Sequence, residues 1–195
     1  MEVIIRPSAE DASKLTARII ADAIIHNPRL VLGLATGRTM EALYDCLAGL
    51  IKDQHVDVSL LTTFNLDEYI GLAPEHPQSY RFYMEQHLFR KIGIQPQRTH
   101  LPLGNAPDPD SESTRYEALI QSTGGIDLQL LGLGAVGHIG FNEPLSSLAS
   151  RTRAKALTPE TRRQNSAFFG GEDRVPARAI TVGVGTILES RRCLM

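Results

Sequence analysis

Tryptophan is missing from this 195-residue chain, and cysteine is represented only by Cys46 and Cys193. No Cys and His residues stand at metal-ligand spacing, so neither a disulfide framework nor a structural zinc site is indicated. A reduced, cytoplasmic setting is the expectation. No apolar run approaches the roughly 18 residues that a membrane-spanning helix needs. The first residues, Met1-Glu2-Val3-Ile4-Ile5-Arg6, lack the basic segment and long apolar stretch of a signal peptide. Positive charge is not in excess either. Twenty Lys and Arg stand against 22 Asp and Glu, interspersed, with no basic stripe to neutralise a nucleic-acid backbone. Nucleic acid and membrane are therefore not expected partners, and an anionic small molecule would have to be held by a local site. Repeats, low-complexity tracts and linker-like shifts of composition are also absent, so residues 1–195 read as one domain.

What is present suits a substantial core, since 42% of the residues are hydrophobic. Short apolar runs alternate with helical patterns. Val3 to Ile5 reads as a strand before a helix that Ser8 can cap, with Asp11 at its third position. Leu30 to Leu34 reads as a buried strand, followed by Met40, Leu43, Tyr44, Leu47 and Ile51 at helical spacing. Leu60 to Leu66 is a third strand and Tyr80 to Phe89 an aromatic-rich helix. A further helix ends at Gly124-Gly125, and Ile126 to Leu133 is the most continuous apolar run. Thr158-Pro159 has the form of a helix cap with Pro in the first turn, and Ile180 to Val184 is one more strand. The alternation predicts an α/β fold, a three-layer Rossmann-like sandwich with a mostly parallel sheet between helices. Ile187 to Met195 reads as a helix or turn leading into a new apolar strand at which the sequence stops, so the fold is expected to be incomplete at its C-terminus.

Three segments could carry chemistry. Gly33-Leu34-Ala35-Thr36-Gly37-Arg38-Thr39 follows a strand and opens a helix, where free N–H groups and the helix dipole favour phosphate. Its glycine spacing is one short of a Walker A loop, and Arg38 stands where Lys is needed. The plain alternative is a tight turn without ligand. Thr63-Phe64-Asn65-Leu66-Asp67-Glu68-Tyr69 places two carboxylates just past a strand's carboxyl end, where open α/β sheets hold ligands. One could remove a carbon-bound proton, or Asp67 or Glu68 could merely cap the next element and stay solvated. Gly132-Leu133-Gly134-Ala135-Val136-Gly137-His138-Ile139-Gly140-Phe141-Asn142-Glu143-Pro144 contains a formal G-x-G-x-x-G, but Gly140 and Pro144 interrupt the helix that a dinucleotide fold requires. His138 and Glu143 there point to acid-base work, against the alternative of a hydrogen-bonded structural histidine.

These segments, with Gly104-Asn105-Ala106-Pro107, Leu148-Ala149-Ser150-Arg151-Thr152-Arg153 and Thr181-Val182-Gly183-Val184-Gly185, resemble glucosamine-6-phosphate deaminases in order and spacing along essentially the whole chain. Phe141-Asn142-Glu143-Pro144 separates the chain from the related 6-phosphogluconolactonases, which differ after the shared Gly-His. The resemblance implies opening of an amino-sugar ring, proton transfer between C2 and C1, and hydrolysis of the imine to fructose 6-phosphate and ammonia, with no metal or organic cofactor. It implies Asp67 as the base at C2, His138 for ring opening, and Glu143 as its orienter or assistant. Ala35, Thr36, Gly37, Arg38 and Thr39 would hold phosphate, and a homo-oligomer is expected. Ser146, Arg153 and Lys155 fall near positions that some members use for an allosteric sugar phosphate.

The chain also departs from the family pattern. Val136 stands where Asp is usual two residues before the histidine, and Ala167 where an Arg would bind phosphate. Arg38 replaces Gly or Ser, Met40 replaces Pro, and the segment supplying a phosphate-binding Lys does not appear. A catalytically impaired sugar-phosphate-binding paralogue or truncated remnant is the standing alternative to the enzyme.

Overall fold

The computed structural model describes residues 2–134 and 137–195. Helix α1 (Ala9–His26) starts where Ser8 accepts the Asp11 N–H at 3.1 Å, and it buries Ala17, Ile20, Ala21 and Ile24 along one stripe. Strand β1 (Val31–Leu34) is wholly buried, and helix α2 (Arg38–Asp53) buries Met40, Leu43, Tyr44, Leu47 and Ile51, the residues its spacing selects. Strand β2 (Thr62–Asn65) follows, then β3 (Asp67–Tyr69). The aromatic helix runs as α3 (Tyr80–Met84), a π-helical turn at Glu85–Phe89, and α4 (Arg90–Ile92). Next come β4 (Thr99–His100), α5 (Pro109–Ser122) and β5 (Leu128–Leu130). The remaining elements are β6 (Arg153–Ala156), α6 (Pro159–Phe169), β7 (Arg178–Thr181), α7 (Val184–Leu188) and β8 (Cys193–Leu194).

The main sheet has the order β4-β2-β1-β5-β8 and every pairing in it is parallel. Helices cover both of its faces, giving the Rossmann-like α/β architecture that the alternation predicts. Most of the core lies between this sheet and its helices, where Leu32, Leu34, Leu47, Leu61 and Phe64 are each 1% exposed or less. Burying each such side chain stabilises the fold by about 1.5–3 kcal/mol.

A second sheet, β3-β7-β6, is antiparallel and was not foreseen. Leu66 joins the two: its N–H bonds Leu34 O at 3.2 Å on the parallel side, while its own carbonyl accepts the Val182 N–H at 2.7 Å. The chain thus leaves one sheet and enters the other at a single residue, with Asp67 next.

Three expectations change accordingly. Leu60 to Leu66 is not one strand, because pairing transfers at Leu66. The Ile180–Val184 strand is β7, ending at Thr181, with Gly183 as N-cap of α7. Val3, Ile4 and Ile5 form no strand and are 74%, 52% and 89% exposed, since an apolar run becomes a strand only beside an edge whose N–H and C=O groups are free to pair.

Candidate active site

A cleft of about 480 Å³ opens at the carboxyl ends of β1, β2 and β5, roofed by α1 on one side and α6 on the other. Its first wall is the turn into α2, through Ala35, Thr36, Gly37 and Thr39. Gly37 is the N-cap at φ 115°, a conformation that side chains disfavour. Ser8, Ser79, Asp108 and Thr158 cap α1, α3, α5 and α6 by accepting backbone N–H groups, whereas no side chain caps the 16-residue α2. The positive end of that helix therefore faces the cleft without an internal side-chain acceptor, which favours an anion. Hydroxyls brace the turn from behind: Tyr83 donates to Gly37 O at 2.8 Å and Tyr44 to Ala35 O. Arg38 is not among the lining residues. Its guanidinium lies 4.9 Å over the Phe168 ring, at a neighbouring cavity of about 210 Å³. No Lys or Arg is among the described residues that line the main cleft.

The two strand-end carboxylates have separate surroundings. Asp67 lines the cleft although it is only 5% exposed. Burial first, and the Glu68 charge second, push its carboxyl up to about 8, against the opposing effect of the Phe141 N–H. Gly140, at φ +57°, backs onto it; a Cβ there would come within 2.9 Å of Asp67 Oδ2 and 3.1 Å of Thr181 Oγ1. Glu68, 2% exposed, faces α3 instead and accepts the N–H groups of Tyr69 (2.9 Å), Tyr80 (3.0 Å) and Arg81 (3.0 Å). Burial pushes it up to about 7 in spite of those three bonds. Of the two carboxylates, Glu68 holds the first N–H groups of α3 while buried, and Asp67 is the one at the cleft.

His138 also lines the cleft, its ring against the backbone of Gly134, where a Cβ would fall 2.2 Å from Nε2. Its Nδ1 is buried and has no hydrogen-bond partner among the described residues. Ala135 and Val136, the position on which the missing orienter rests, lie outside the described residues. Glu143 is buried but is not a lining residue. Its Oε1 accepts the hydroxyls of Thr158 at 3.0 Å and Thr161 at 2.5 Å, which tie it to α6. The turn at Asn142, whose Nδ2 donates to Ile139 O at 3.0 Å and Val182 O at 2.8 Å, fixes this orientation.

Several lining residues were missed. Thr161, Gln164 and Asn165 present a polar i, i+3, i+4 stripe of α6 to the cleft, a pattern visible after the Thr158-Pro159 cap. Tyr80 reaches the cleft from the first turn of α3, and sequence alone does not separate it from a core aromatic. Ser13 and Thr16 come from α1. Ala167 is exposed on α6. Arg153 Nη2 is 3.5 Å from Ser146 Oγ, on the strand β6 that also carries Lys155. Among the described residues, no group of three His, Cys, Asp or Glu side chains is gathered to hold a metal, and no helix is long and apolar enough to cross a membrane.

A cleft of this kind, an uncapped helix start facing a buried strand-end aspartate and a glycine-loop histidine, agrees with what the sequence comparisons find. The family model "Glucosamine-6-phosphate isomerases/6-phosphogluconolactonase" matches residues 6–195. The chain belongs to this family. Within the glucosamine-6-phosphate isomerase/6-phosphogluconolactonase family, it is 52% identical over 195 residues to a glucosamine-6-phosphate deaminase of Hahella chejuensis, covering 100% of this chain and 74% of that protein. A solved structure described as a monomeric glucosamine-6-phosphate deaminase matches at TM-score 0.97 and 46% identity, covering 99% of this chain and 80% of that one. A 6-phosphogluconolactonase from Trypanosoma cruzi, at 20% identity and TM-score 0.74 over 98% of this chain and 78% of that one, shares the fold.

Proposed function

We propose that the cleft converts glucosamine 6-phosphate and water to fructose 6-phosphate and ammonia. The observation that carries the reading is Asp67, buried at the cleft wall with its carboxyl pushed up to about 8. A base that moves a proton between adjacent sugar carbons must be unhydrated enough to bind the proton and ionised enough to take it, and a carboxylate titrating near the working pH meets both needs. In this reading the phosphate sits against the N–H groups at the start of α2 with the Thr39 hydroxyl beside it, which directs the other end of the sugar toward Asp67. His138 exchanges the ring-oxygen proton as the pyranose opens. Asp67 then takes the C2 proton and returns it to C1 of the same face, and water adds to the imine carbon at C2 so that the C–N bond breaks and ammonia leaves. The reading makes the chain a cytoplasmic enzyme. Self-association goes with it as an expectation that sedimentation would check, the 46%-identical relative being described as monomeric.

Two observations favour a second reading, sugar-phosphate binding with slow turnover. Among the described residues His138 Nδ1 lacks a partner and no Lys or Arg lines the cleft, so imidazole orientation and phosphate affinity both rest on fewer contacts than charge-assisted sites have. Calorimetry with glucosamine 6-phosphate and with glucosamine, paired with ammonia release, separates the two. Ammonia release lost in Asp67→Asn supports the deaminase. Phosphate-dependent binding without ammonia release supports the binder, and equal affinity for both sugars counts against either.

A further inference from the structure

Asp67 and Glu68 are consecutive buried carboxylates on β3, and only the first meets the cleft. We propose that Glu68 is a positioning residue for the deaminase reaction, its charge acting on both walls of the cleft: through the start of α3 on Tyr80, and through space on Asp67. The inference rests on the reading of Asp67 as the base.

The geometry of the first action is direct. Glu68 Oε1 accepts the N–H groups of Tyr69 and Tyr80, and Oε2 that of Arg81, so one carboxylate holds the first two residues of α3. Tyr80 lines the cleft with its ring stacked at 17° to Phe141, another lining residue. Ser79 already caps the same helix by accepting the Phe82 N–H at 3.0 Å, so Glu68 is not needed to start α3. What it adds is a fixed link between the strand bearing Asp67 and the helix bearing Tyr80.

The second action follows from how Glu68 is balanced. The cationic group facing it is Arg81, but that guanidinium donates to Thr99 Oγ1 at 2.7 Å and Thr99 O at 2.8 Å, and lies 3.6 Å from Glu85. Glu68 is held by three backbone N–H groups, and the Arg81 guanidinium acts on it through space, lowering its pKa, with no ion pair to it among the described residues. The other titratable groups turned toward the pair are Tyr69 on β3, Tyr80 on α3 and Tyr116 on α5, all neutral near pH 7 because burial raises them further. From the glycine loop Asp67 meets the Phe141 N–H, and His138 lines the same cleft. An ionised Glu68 therefore works against ionisation of Asp67 across a region with little water to screen it. The pair then releases its protons in two coupled steps, Glu68 before Asp67, and Asp67 remains the stronger base of the two.

The test is the pH profile of kcat/KM for ammonia release by the full chain. Glu68→Gln should move the acid limb down by about one unit, roughly a tenfold gain in kcat/KM on that limb relative to the plateau, while KM rises. Glu68→Asp keeps the charge but has a shorter reach, so it should leave the limb in place and raise KM alone. An unmoved limb in a folded Glu68→Gln variant overturns the proposal. Should that variant not fold, carbon-13 NMR of the carboxyl groups in the unaltered protein decides: Asp67 must show a second, smaller step at the titration of Glu68, and a single step overturns the coupling. Asp67→Asn keeps the two questions apart. Full turnover in that variant refutes the base assignment, whereas turnover lost there with the limb unmoved in Glu68→Gln refutes only the role of Glu68.

Discussion

Gly140 carries more of the site than its size suggests. Its φ of +57° is one that an L side chain adopts at a cost of about 1–2 kcal/mol, and the 2.9 Å approach to Asp67 Oδ2 leaves no room for a methyl group. Gly140→Ala should cost about that much in denaturant unfolding and, because the displaced atom is the proposed base, lower turnover by more than about tenfold. Loss of stability with turnover intact would show that the position of Asp67 is not critical. At this scale much was legible. Asp67 stood out from its surroundings only as one of two carboxylates past a strand end, where open sheets bind ligands. Its separation from Glu68 was not legible, since adjacent acidic residues look alike until one meets N–H groups from an element twelve residues away. Arg38 beside the turn into α2 was likewise readable as a position but not as a direction; its stacking on Phe168 depends on α6, 130 residues further along.

Helix α6 closes one side of the cleft, and the contacts at its ends determine how well it does so. Thr158 caps it by accepting the Thr161 N–H at 3.2 Å, and both hydroxyls donate to the buried Glu143. Losing one partner of such a buried, charge-assisted bond costs about 1–3 kcal/mol, and partners in direct contact show coupling of about 0.5–3 kcal/mol. A double-mutant cycle of Glu143→Gln and Thr161→Val should therefore be non-additive in stability. Glu143→Gln should raise KM more than it lowers kcat, because Gln164 and Asn165 reach the cleft from the same helix. Additive stabilities, or a pure kcat defect, would support the expected role of Glu143 at His138 instead. The cap itself was legible from Thr158-Pro159, a local signal in which the hydroxyl and the ring each have a fixed use. The antiparallel sheet was not. Strand β7 was legible as the Ile180–Val184 strand, but β3 and β6 are three and four residues long and their partners come from positions far apart in the chain, so no local signal announces the pairing.

Across the whole molecule, the parallel sheet was readable because short apolar runs alternate with helical patterns, as where β1 leads into the amphipathic α2, and such alternation implies crossovers. The junction at Leu66 was not, because it depends on which two strands bond the same residue. That junction is also where two consecutive carboxylates are buried. Asp67 is raised from 3.8 to about 8 and Glu68 from 4.5 to about 7, chiefly by burial. The folded chain therefore keeps two protons that the unfolded chain releases. Their contribution to stability is fully present below the unfolded values, near pH 4, and is lost as pH rises through about 7 and then about 8. Asp57, Asp108 and Glu189 are shifted the other way by local hydrogen bonds, but they are exposed, and such surface groups are worth little. Unfolding free energy should accordingly fall between about pH 5 and about pH 8.5, by an amount on the order of a few kcal/mol once relaxation of the site is allowed for. Asp67→Asn, which carries no charge to desolvate, should flatten that fall and be more stable than the unaltered protein at the alkaline end while losing ammonia release. Denaturant melts of both proteins across this range decide the matter, and a stability that rises with pH, or an Asp67→Asn curve parallel to that of the unaltered chain, would mean that the buried pair is not what sets it.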